Sequence, residues 1–200
     1  MDKQLLNKIK MNKSLLNLEA VKTDTTDNKN IIEILSNTQK GLGFVPNMYA
    51  EMSNSETLIG AYTSAYNYLR KSSILSMKEQ EVVLLSVSHL NECDYCMAAH
   101  SFVGEKMSGL SEEELRTIRK GDILEDRKLA ALQQFTIKMI QKRGWIDQHD
   151  LEVLLGFGYT KNHVLDVIAA IGIKTMSNYF NHLNQTTLDE MFKDHAWKKD

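Results

Sequence analysis

The chain has 200 residues, and 42% of them are hydrophobic, which is enough apolar material for one domain with a buried core. Its 24 Lys and Arg residues nearly balance 26 Asp and Glu residues, so the net charge is −2. We therefore expect no nucleic-acid partner, because proteins that bind phosphate backbones carry a basic excess. No stretch approaches the roughly 18 consecutive apolar residues of a membrane-spanning helix, and we expect no membrane partner.

The N-terminal segment MDKQLLNKIKMNKSLL is basic, but it lacks a continuous apolar stretch and a small-residue cleavage site. It does not predict a secretory signal, and the expected compartment is the cytoplasm. The polar segment at 22–30 is typical of a loop or linker. We expect residues 1–27 to form an N-terminal arm and residues 28–200 to form a single helical domain.

Helices dominate the predicted secondary structure, since the chain has one proline, Pro46, and lacks alternating apolar runs bounded by turn residues. Ser76 with Glu79, and Ser111 with Glu114, match the capping-box pattern of helix starts. The fold class is predicted to be all-α. In chain order, the predicted helices are 30–40, 47–52, 56–71, 77–91, 94–108, 112–120, 126–143, 148–156 and 161–183.

Several residues on these helices are assigned to the core. The small residues of AAIGI, 169–173, would let another helix approach closely, and core packing is favoured over a subunit contact. Tyr95, Trp145 and His182 are also placed in the core, because such side chains pack more often than they react.

The stretch NECDYCMAAHS, residues 91–101, contains the only two cysteines, Cys93 and Cys96, followed by His100. At about 3.6 residues per turn these three side chains share one face of a helix that begins near Cys93. Unpaired amides and the positive end of the helix dipole lower the pKa of a nearby thiol. The spacing also permits a small disulfide loop, and the imidazole could accept a thiol proton.

The preceding predicted helix adds Glu81, which begins the apolar run EVVLLSV. A carboxylate there is either solvated at the helix end or directed at the same pocket as His100, where it would orient a proton relay. His89, near that helix's other end, is more typical of a packed core or interface histidine.

Three interpretations of the cysteine pair stay open. A redox dithiol is favoured in a cytoplasmic protein. Zinc would need further ligands, which His89 or Glu81 could supply. The third possibility is two neighbouring cysteines without a chemical role. Met97 follows the second cysteine and excludes the haem-attachment motif, and the helical pattern excludes a thioredoxin-type domain.

The spacing Glu-x(11)-Cys-x-x-Cys-x(3)-His, together with its surroundings, resembles the carboxymuconolactone decarboxylase-like superfamily, and specifically its alkylhydroperoxidase D-like (AhpD-like), peroxidase-related branch. The likeness extends over nearly everything from residue 31 onward. Its matching segments are 41–62, 75–115, 126–146 and 158–183.

This resemblance implies an all-helical homo-oligomer, whether dimer, trimer or hexamer, that needs neither a cofactor nor a metal. It implies that Cys96 attacks a hydroperoxide and becomes a sulfenic acid, and that Cys93 resolves it as a disulfide. His100 and Glu81 match the proton-relay groups. The implied partners are a hydroperoxide and an external dithiol, such as a lipoyl group or a thioredoxin-like protein.

One departure concerns Tyr95, which stands where the best-known AhpD proteins have a histidine. The superfamily's decarboxylases lack the cysteine pair. The predicted function is therefore a thiol-dependent peroxidase or disulfide reductase. The alternatives are a zinc-binding or redox-sensing oligomer and, ranked last, a decarboxylase-type lyase.

Overall fold

The computed structural model describes residues 14–199, and helices are the only regular elements within that range. They are α1 (Lys29–Leu42), α2 (Asn47–Met52), α3 (Glu56–Ser72), α4 (Met77–Leu90), α5 (Asp94–Met107), α6 (Glu112–Lys120), α7 (Arg127–Gln141), α8 (Gln148–Gly156) and α9 (Lys161–Asn184), followed by a C-terminal 3-10 helix, Glu190–His195. The all-α prediction is confirmed, and each predicted helix is present with small shifts at its ends.

The predicted helix starts have a visible cause. Ser76 Oγ accepts the Glu79 N–H (3.2 Å), and Glu79 Oε2 accepts the Ser76 N–H (2.8 Å). Ser111 and Glu114 form the same reciprocal pair at the start of α6. Each pair satisfies amides that the first helical turn leaves without partners, which fixes where α4 and α6 begin.

Helix α4 is the centre of the fold. Every residue from Glu79 to Ser88 is buried, and the helix packs against α5, α7 and α9. A helix that is covered on all sides belongs to the interior rather than to the surface. Its one ionisable residue in the middle of this run, Glu81, is thereby carried into a dehydrated environment and needs charged partners.

The core prediction for Trp145 is wrong, and the core prediction for the AAIGI segment holds only in part. Trp145 is 87% exposed, because it follows the turn after α7, in which Arg143 and Gly144 both have positive φ. In the AAIGI segment, Ala170 and Ile173 are buried, but Ala169 and Gly172 face solvent. The small residues therefore divide between the core face and the outer face of α9.

The segment before α1 lies along the helical body as far as it is described. The Leu15 N–H donates to the Leu183 carbonyl (2.9 Å), and the Val21 N–H donates to the Ala50 carbonyl (3.0 Å). The first 13 residues of the predicted arm lie outside the described residues, so the boundary near residue 27 stays a prediction. Within residues 14–199, no helix has the length and apolar character needed to cross a membrane.

Candidate active site

The cysteines lie at the start of α5, as the motif predicts. Cys93 is the N-cap residue, and Cys96 follows in the first turn. Both are free thiols, and each is only 1% exposed. His100 is one turn further along and is also buried. The two thiols therefore lie in the interior, next to an imidazole on the same helix.

Helix α9 covers the two sulfurs with polar side chains. Asn181 Nδ2 lies 3.3 Å from Cys96 Sγ and 3.9 Å from Cys93 Sγ. Ser177 Oγ lies 3.7 Å from Cys96 Sγ. An amide N–H directed at a sulfur stabilises the sulfur best when it carries negative charge, since hydrogen bonds to ions are the stronger ones.

His100 is bonded on both ring nitrogens. Its Nδ1 lies 2.8 Å from Glu81 Oε2, and its Nε2 lies 2.8 Å from Lys174 Nζ. A lysine ammonium can only donate, so Nε2 is the acceptor, and Nδ1 carries the ring proton and donates a hydrogen bond to Glu81. Glu81 is thus brought to His100, as the second of its two sequence interpretations expects, but neither hydrogen bond of His100 goes to a sulfur.

The other carboxylate oxygen of Glu81 accepts from Arg70 of α3. The same guanidinium donates to the Tyr66 hydroxyl (2.6 Å) and to Gln80 Oε1 (3.0 Å). Lys174, His100, Glu81 and Arg70 together make a continuous hydrogen-bonded row, called here the charged chain. It joins α9, α5, α4 and α3 and ends at Arg70, the least buried of the four.

The protonation of this chain follows from its contacts. Burial acts to raise the pKa of Glu81, but His100 and Arg70 outweigh it and hold that pKa below its usual value. Burial and the Lys174 charge lower the pKa of His100, against the opposing pull of Glu81. Glu81 is therefore ionised and His100 neutral at neutral pH, in agreement with the hydrogen-bond directions.

The two thiols differ in acidity. Burial acts to raise the pKa of Cys96, but the hydrogen bond from Cys93 and the charge of Lys174 outweigh it, and the pKa lies well below its usual value. Burial raises the pKa of Cys93, and its hydrogen bond to Cys96 raises it further. The geometry thus favours a Cys96 thiolate beside a protonated Cys93, which is the arrangement of a nucleophile next to a second thiol.

A groove of about 640 Å³ opens beside Cys93. Its lining also includes Asp94, Asn181 and Lys198, whereas Cys96 does not line it. The larger cleft near Arg119 and Trp197 contains neither sulfur. The groove thus borders the pair on the Cys93 side, next to the amide of Asn181.

Tyr95 points away from the sulfurs. Its hydroxyl donates to Asp189 Oδ2, and its ring packs edge-on against Phe192 at 6.2 Å between centroids. Asp189 also accepts the Asn47 N–H at 3.0 Å, so this contact ties the C-terminal segment to α2 and α5. The expected packing role of Tyr95 is confirmed, and Tyr95 is not part of the charged chain.

Replacing Tyr95 with Phe should lower the free energy of unfolding by about 1–2 kcal/mol, because the buried Asp189 loses one of its donors. Turnover of the dithiol should stay unchanged, since the ring position is kept and the charged chain is untouched. Urea unfolding and a turnover assay on the same preparation would check this. A large loss of turnover with intact stability would place Tyr95 in the chemistry.

His89 lies outside this group, half-buried against Trp197 at 5.6 Å between ring centroids. Across residues 14–199, His, Cys, Asp and Glu side chains do not gather in threes that could hold a metal ion. The zinc-binding alternative therefore gains no support from the described part of the chain.

The sequence motifs do not single out Lys174, Ser177 and Asn181. One signal does point to them: with Asn178 they form a polar stripe at helical spacing, 174, 177, 178 and 181, on an otherwise apolar stretch of α9. All of them are buried, and a buried polar stripe usually meets another polar group. That partner is the cysteine helix.

Comparison with known proteins supports the likeness drawn from the motif. Residues 58–136, which include Arg70, Glu81, both cysteines and His100, match the model of the carboxymuconolactone decarboxylase family. No protein of curated function shows significant sequence similarity to the chain.

Three solved structures are similar over most of the chain. A peroxidase-related protein from Silicibacter sp. TM1040 has 23% identity and a TM-score of 0.74, covering 91% of this chain and 97% of its own. An AhpD-core, peroxidase-related protein from Ralstonia eutropha JMP134 has 21% identity and a TM-score of 0.75, covering 88% and 93%. The debrominase Bmp8, in complex with 2,3,4-tribromopyrrole, has 14% identity and a TM-score of 0.74, covering 92% and 96%.

At these identities the structures establish the fold, and the family model matches the segment that contains Arg70, Glu81, both cysteines and His100. The resemblance drawn from the sequence is confirmed at the level of fold and family model: the chain has the all-α fold of AhpD-core, peroxidase-related proteins, and its residues 58–136 match the model of the carboxymuconolactone decarboxylase family.

Proposed function

We propose that the protein is a thiol-dependent peroxidase that reduces hydroperoxides with Cys96 and Cys93. The carrying observation is the geometry of the buried pair: Asn181 Nδ2 lies 3.3 Å from Cys96 Sγ, and Cys93 stands at the N-cap of the same helix. The directions of the two pKa shifts, down for Cys96 and up for Cys93, agree with a thiolate at Cys96. The fold alone does not select the substrate, because a debrominase shares it. The choice of a hydroperoxide rests on the nucleophilic thiolate with a resolving thiol at hydrogen-bond distance.

The reaction has two steps within the protein. The Cys96 thiolate attacks the terminal oxygen of the hydroperoxide, the O–O bond breaks, and the leaving alkoxide takes a proton to become an alcohol. Cys96 is now a sulfenic acid. The Cys93 sulfur then attacks the Cys96 sulfur, its proton joins the departing hydroxide as water, and the disulfide closes.

His100 and Glu81 support this chemistry in a way that differs from direct proton removal. Since Nε2 of His100 already accepts from Lys174, the imidazole is not free to take the Cys96 proton in this arrangement. Glu81 holds the ring and keeps its proton on Nδ1. Their role is to hold the Lys174 ammonium in place near Cys96, so that the thiolate exists before the hydroperoxide arrives.

An external dithiol completes the cycle. In the disulfide form the groove gives access to the Cys93 sulfur, so a lipoyl-type or thioredoxin-like dithiol would attack there. Cys96 then leaves as the thiolate of lower pKa, which is the faster leaving group. The proposal includes a cytoplasmic homo-oligomer and requires no organic cofactor or metal.

The test is a stoichiometric oxidation of the reduced protein without added reductant. One equivalent of cumene hydroperoxide should be consumed per chain, both thiols should disappear, and the mass should fall by that of two hydrogens as the intramolecular disulfide forms. Excess dithiothreitol should restore the thiols and the ability to consume peroxide. Thiols that stay free at millimolar hydroperoxide would refute the proposal, and metal analysis would then test the zinc-binding alternative.

A further inference from the structure

Lys174 is a buried cation that the dithiol chemistry described above does not use directly. Its side chain is 1% exposed, and its Nζ lies 2.8 Å from His100 Nε2. Burying an ammonium without an anion is strongly unfavourable, so a buried lysine is normally paired or neutralised. Its direct partner here, the His100 ring, is neutral and does not balance the charge.

Three of the helices packed against α9 bring ionisable groups to the Lys174 side chain or its neighbours. Helix α3 contributes Arg70, α4 contributes Glu81, and α5 contributes His100 and Cys96, whose sulfur lies 3.7 Å from the Ser177 hydroxyl next to Lys174 on α9. The one carboxylate among these groups, Glu81, is shared between Arg70 and His100. The four groups Lys174, Arg70, Glu81 and Cys96 are therefore neutral in sum only when Cys96 is a thiolate.

The tyrosines of α3 do not supply the missing anion. Burial raises the pKa of both Tyr62 and Tyr66, so each phenol stays protonated at neutral pH. The Ser177 hydroxyl, on the same face of α9 as Lys174, is neutral and donates to the Lys174 carbonyl at 3.0 Å. Among the described groups of the pocket, the Cys96 sulfur is the one left to balance the Lys174 charge.

We propose that Lys174 is a positioning residue that acts as the fixed counter-ion of the Cys96 thiolate and, through its bond to Nε2, locks His100 in the Nδ1–H form. This role rests on the proposed function only in assigning Cys96 as the nucleophile. It does not depend on a hydroperoxide being the oxidant, because the pairing exists in the reduced protein before any substrate binds.

The pairing also acts on the redox equilibrium. Closing the Cys93–Cys96 disulfide removes the thiolate and leaves the buried Lys174 charge without its anion. With glutathione disulfide as the oxidant, the two protein sulfurs are oxidised to the disulfide, and one molecule of glutathione disulfide is reduced to two of glutathione. Lys174 therefore stabilises the reduced form relative to the disulfide, as stabilised thiolates do in strongly oxidising dithiol proteins.

Two variants separate charge from packing. Lys174→Met keeps the length of the apolar stem and removes the charge, whereas Lys174→Arg keeps the charge. Lys128→Met is the control, because Lys128 pairs with Glu79 at the surface and is remote from the thiols. The pH dependence of alkylation by iodoacetamide is measured on Cys96 in a Cys93→Ser background. The glutathione equilibrium is measured with both cysteines present.

Lys174→Met should move the alkylation midpoint up toward that of an ordinary thiol and slow alkylation at pH 7 at least tenfold. It should also shift the glutathione equilibrium toward the disulfide by tenfold, about 30 mV for a two-electron couple. Lys174→Arg and the control Lys128→Met should have nearly the same alkylation midpoint and glutathione equilibrium as the parent protein. A Met variant that alkylates like its parent, or an Arg variant that changes as much as the Met variant, would overturn the proposal.

A measurement on the unmodified protein guards against a variant that fails to fold. The ¹⁵N chemical shifts of His100 in the reduced protein should identify the neutral Nδ1–H form, and the Nε2–H form would overturn the proposal. The alkylation, glutathione and ¹⁵N measurements use no hydroperoxide. If the protein consumes no peroxide but gives the expected results in these three measurements, the proposed function fails and this role of Lys174 stands. If it consumes peroxide but fails these measurements, only the role of Lys174 is removed.

Discussion

Replacing Cys96 with Ser should reduce hydroperoxide turnover in the presence of excess dithiothreitol at least a thousandfold, to the background of buffer. The serine hydroxyl has nearly the same shape, but it is not ionised at neutral pH, and the low pKa at this position belongs to the thiol. The measurement is hydroperoxide consumption at pH 7, with circular dichroism to show that the helices are retained.

Cys93→Ser is the matched control, because it removes the other sulfur from the same helix turn. In this variant Cys96 should still react with the hydroperoxide, and the reaction should end at a Cys96 sulfenic acid, which a dimedone adduct identifies by mass. Sulfenic acid at Cys93 in the Cys96→Ser protein, with turnover preserved there, would reverse the assignment of the two thiols. Such a reversal is a real alternative, since Cys93 is the sulfur that lines the groove.

The four residues predicted from the sequence lie close together because they are local to one hairpin of helices. Cys93, Cys96 and His100 share the first turns of α5, and helical spacing alone puts them on one side. Glu81 meets them because α4 and α5 pack as neighbours after a short turn. Spacing could not decide whether Glu81 was solvated, since that depends on which helices cover α4.

The remaining part of the site depends on long-range packing. Arg70 comes from α3 and Lys174 from α9, and no local pattern states that either helix crosses the cysteine helix at these positions. The two added residues change the expected chemistry of the site as well as the list of its residues. From the motif His100 is the expected base, but the bond from Lys174 to its Nε2 shows a ring that is already engaged.

The core assignments of Trp145 and of the outer half of AAIGI fail for different reasons. Ala169 and Gly172 lie on a helix whose inward face is set by the polar stripe that meets the thiols, which turns these small residues outward. Trp145 sits in a turn, where no helical periodicity constrains its direction. Composition predicts how much of a chain is buried more reliably than it predicts which side chain of a boundary segment is buried.

Replacing Glu81 with Gln should lower the free energy of unfolding of the reduced protein by about 3–5 kcal/mol at pH 7. The shape is preserved, but Arg70 and Lys174 keep their charges in the interior without the carboxylate, and breaking a buried ion pair from one side is strongly destabilising. Urea unfolding measures the loss. Glu113→Gln is the control, because its exposed pair with Arg116 on α6 lies in solvent and should matter little.

Acidification should reduce the difference in the free energy of unfolding between the parent protein and Glu81→Gln. The pKa of Glu81 is lower in the folded protein than in the unfolded chain, so the folded state binds fewer protons at this group. Its stabilising effect is complete above the ordinary carboxyl pKa and disappears as the pH falls through the lowered folded value. A difference in unfolding free energy that stays constant down to pH 3, or that is no larger than the effect of Glu113→Gln, would mean that the charge of Glu81 does not stabilise the charged chain.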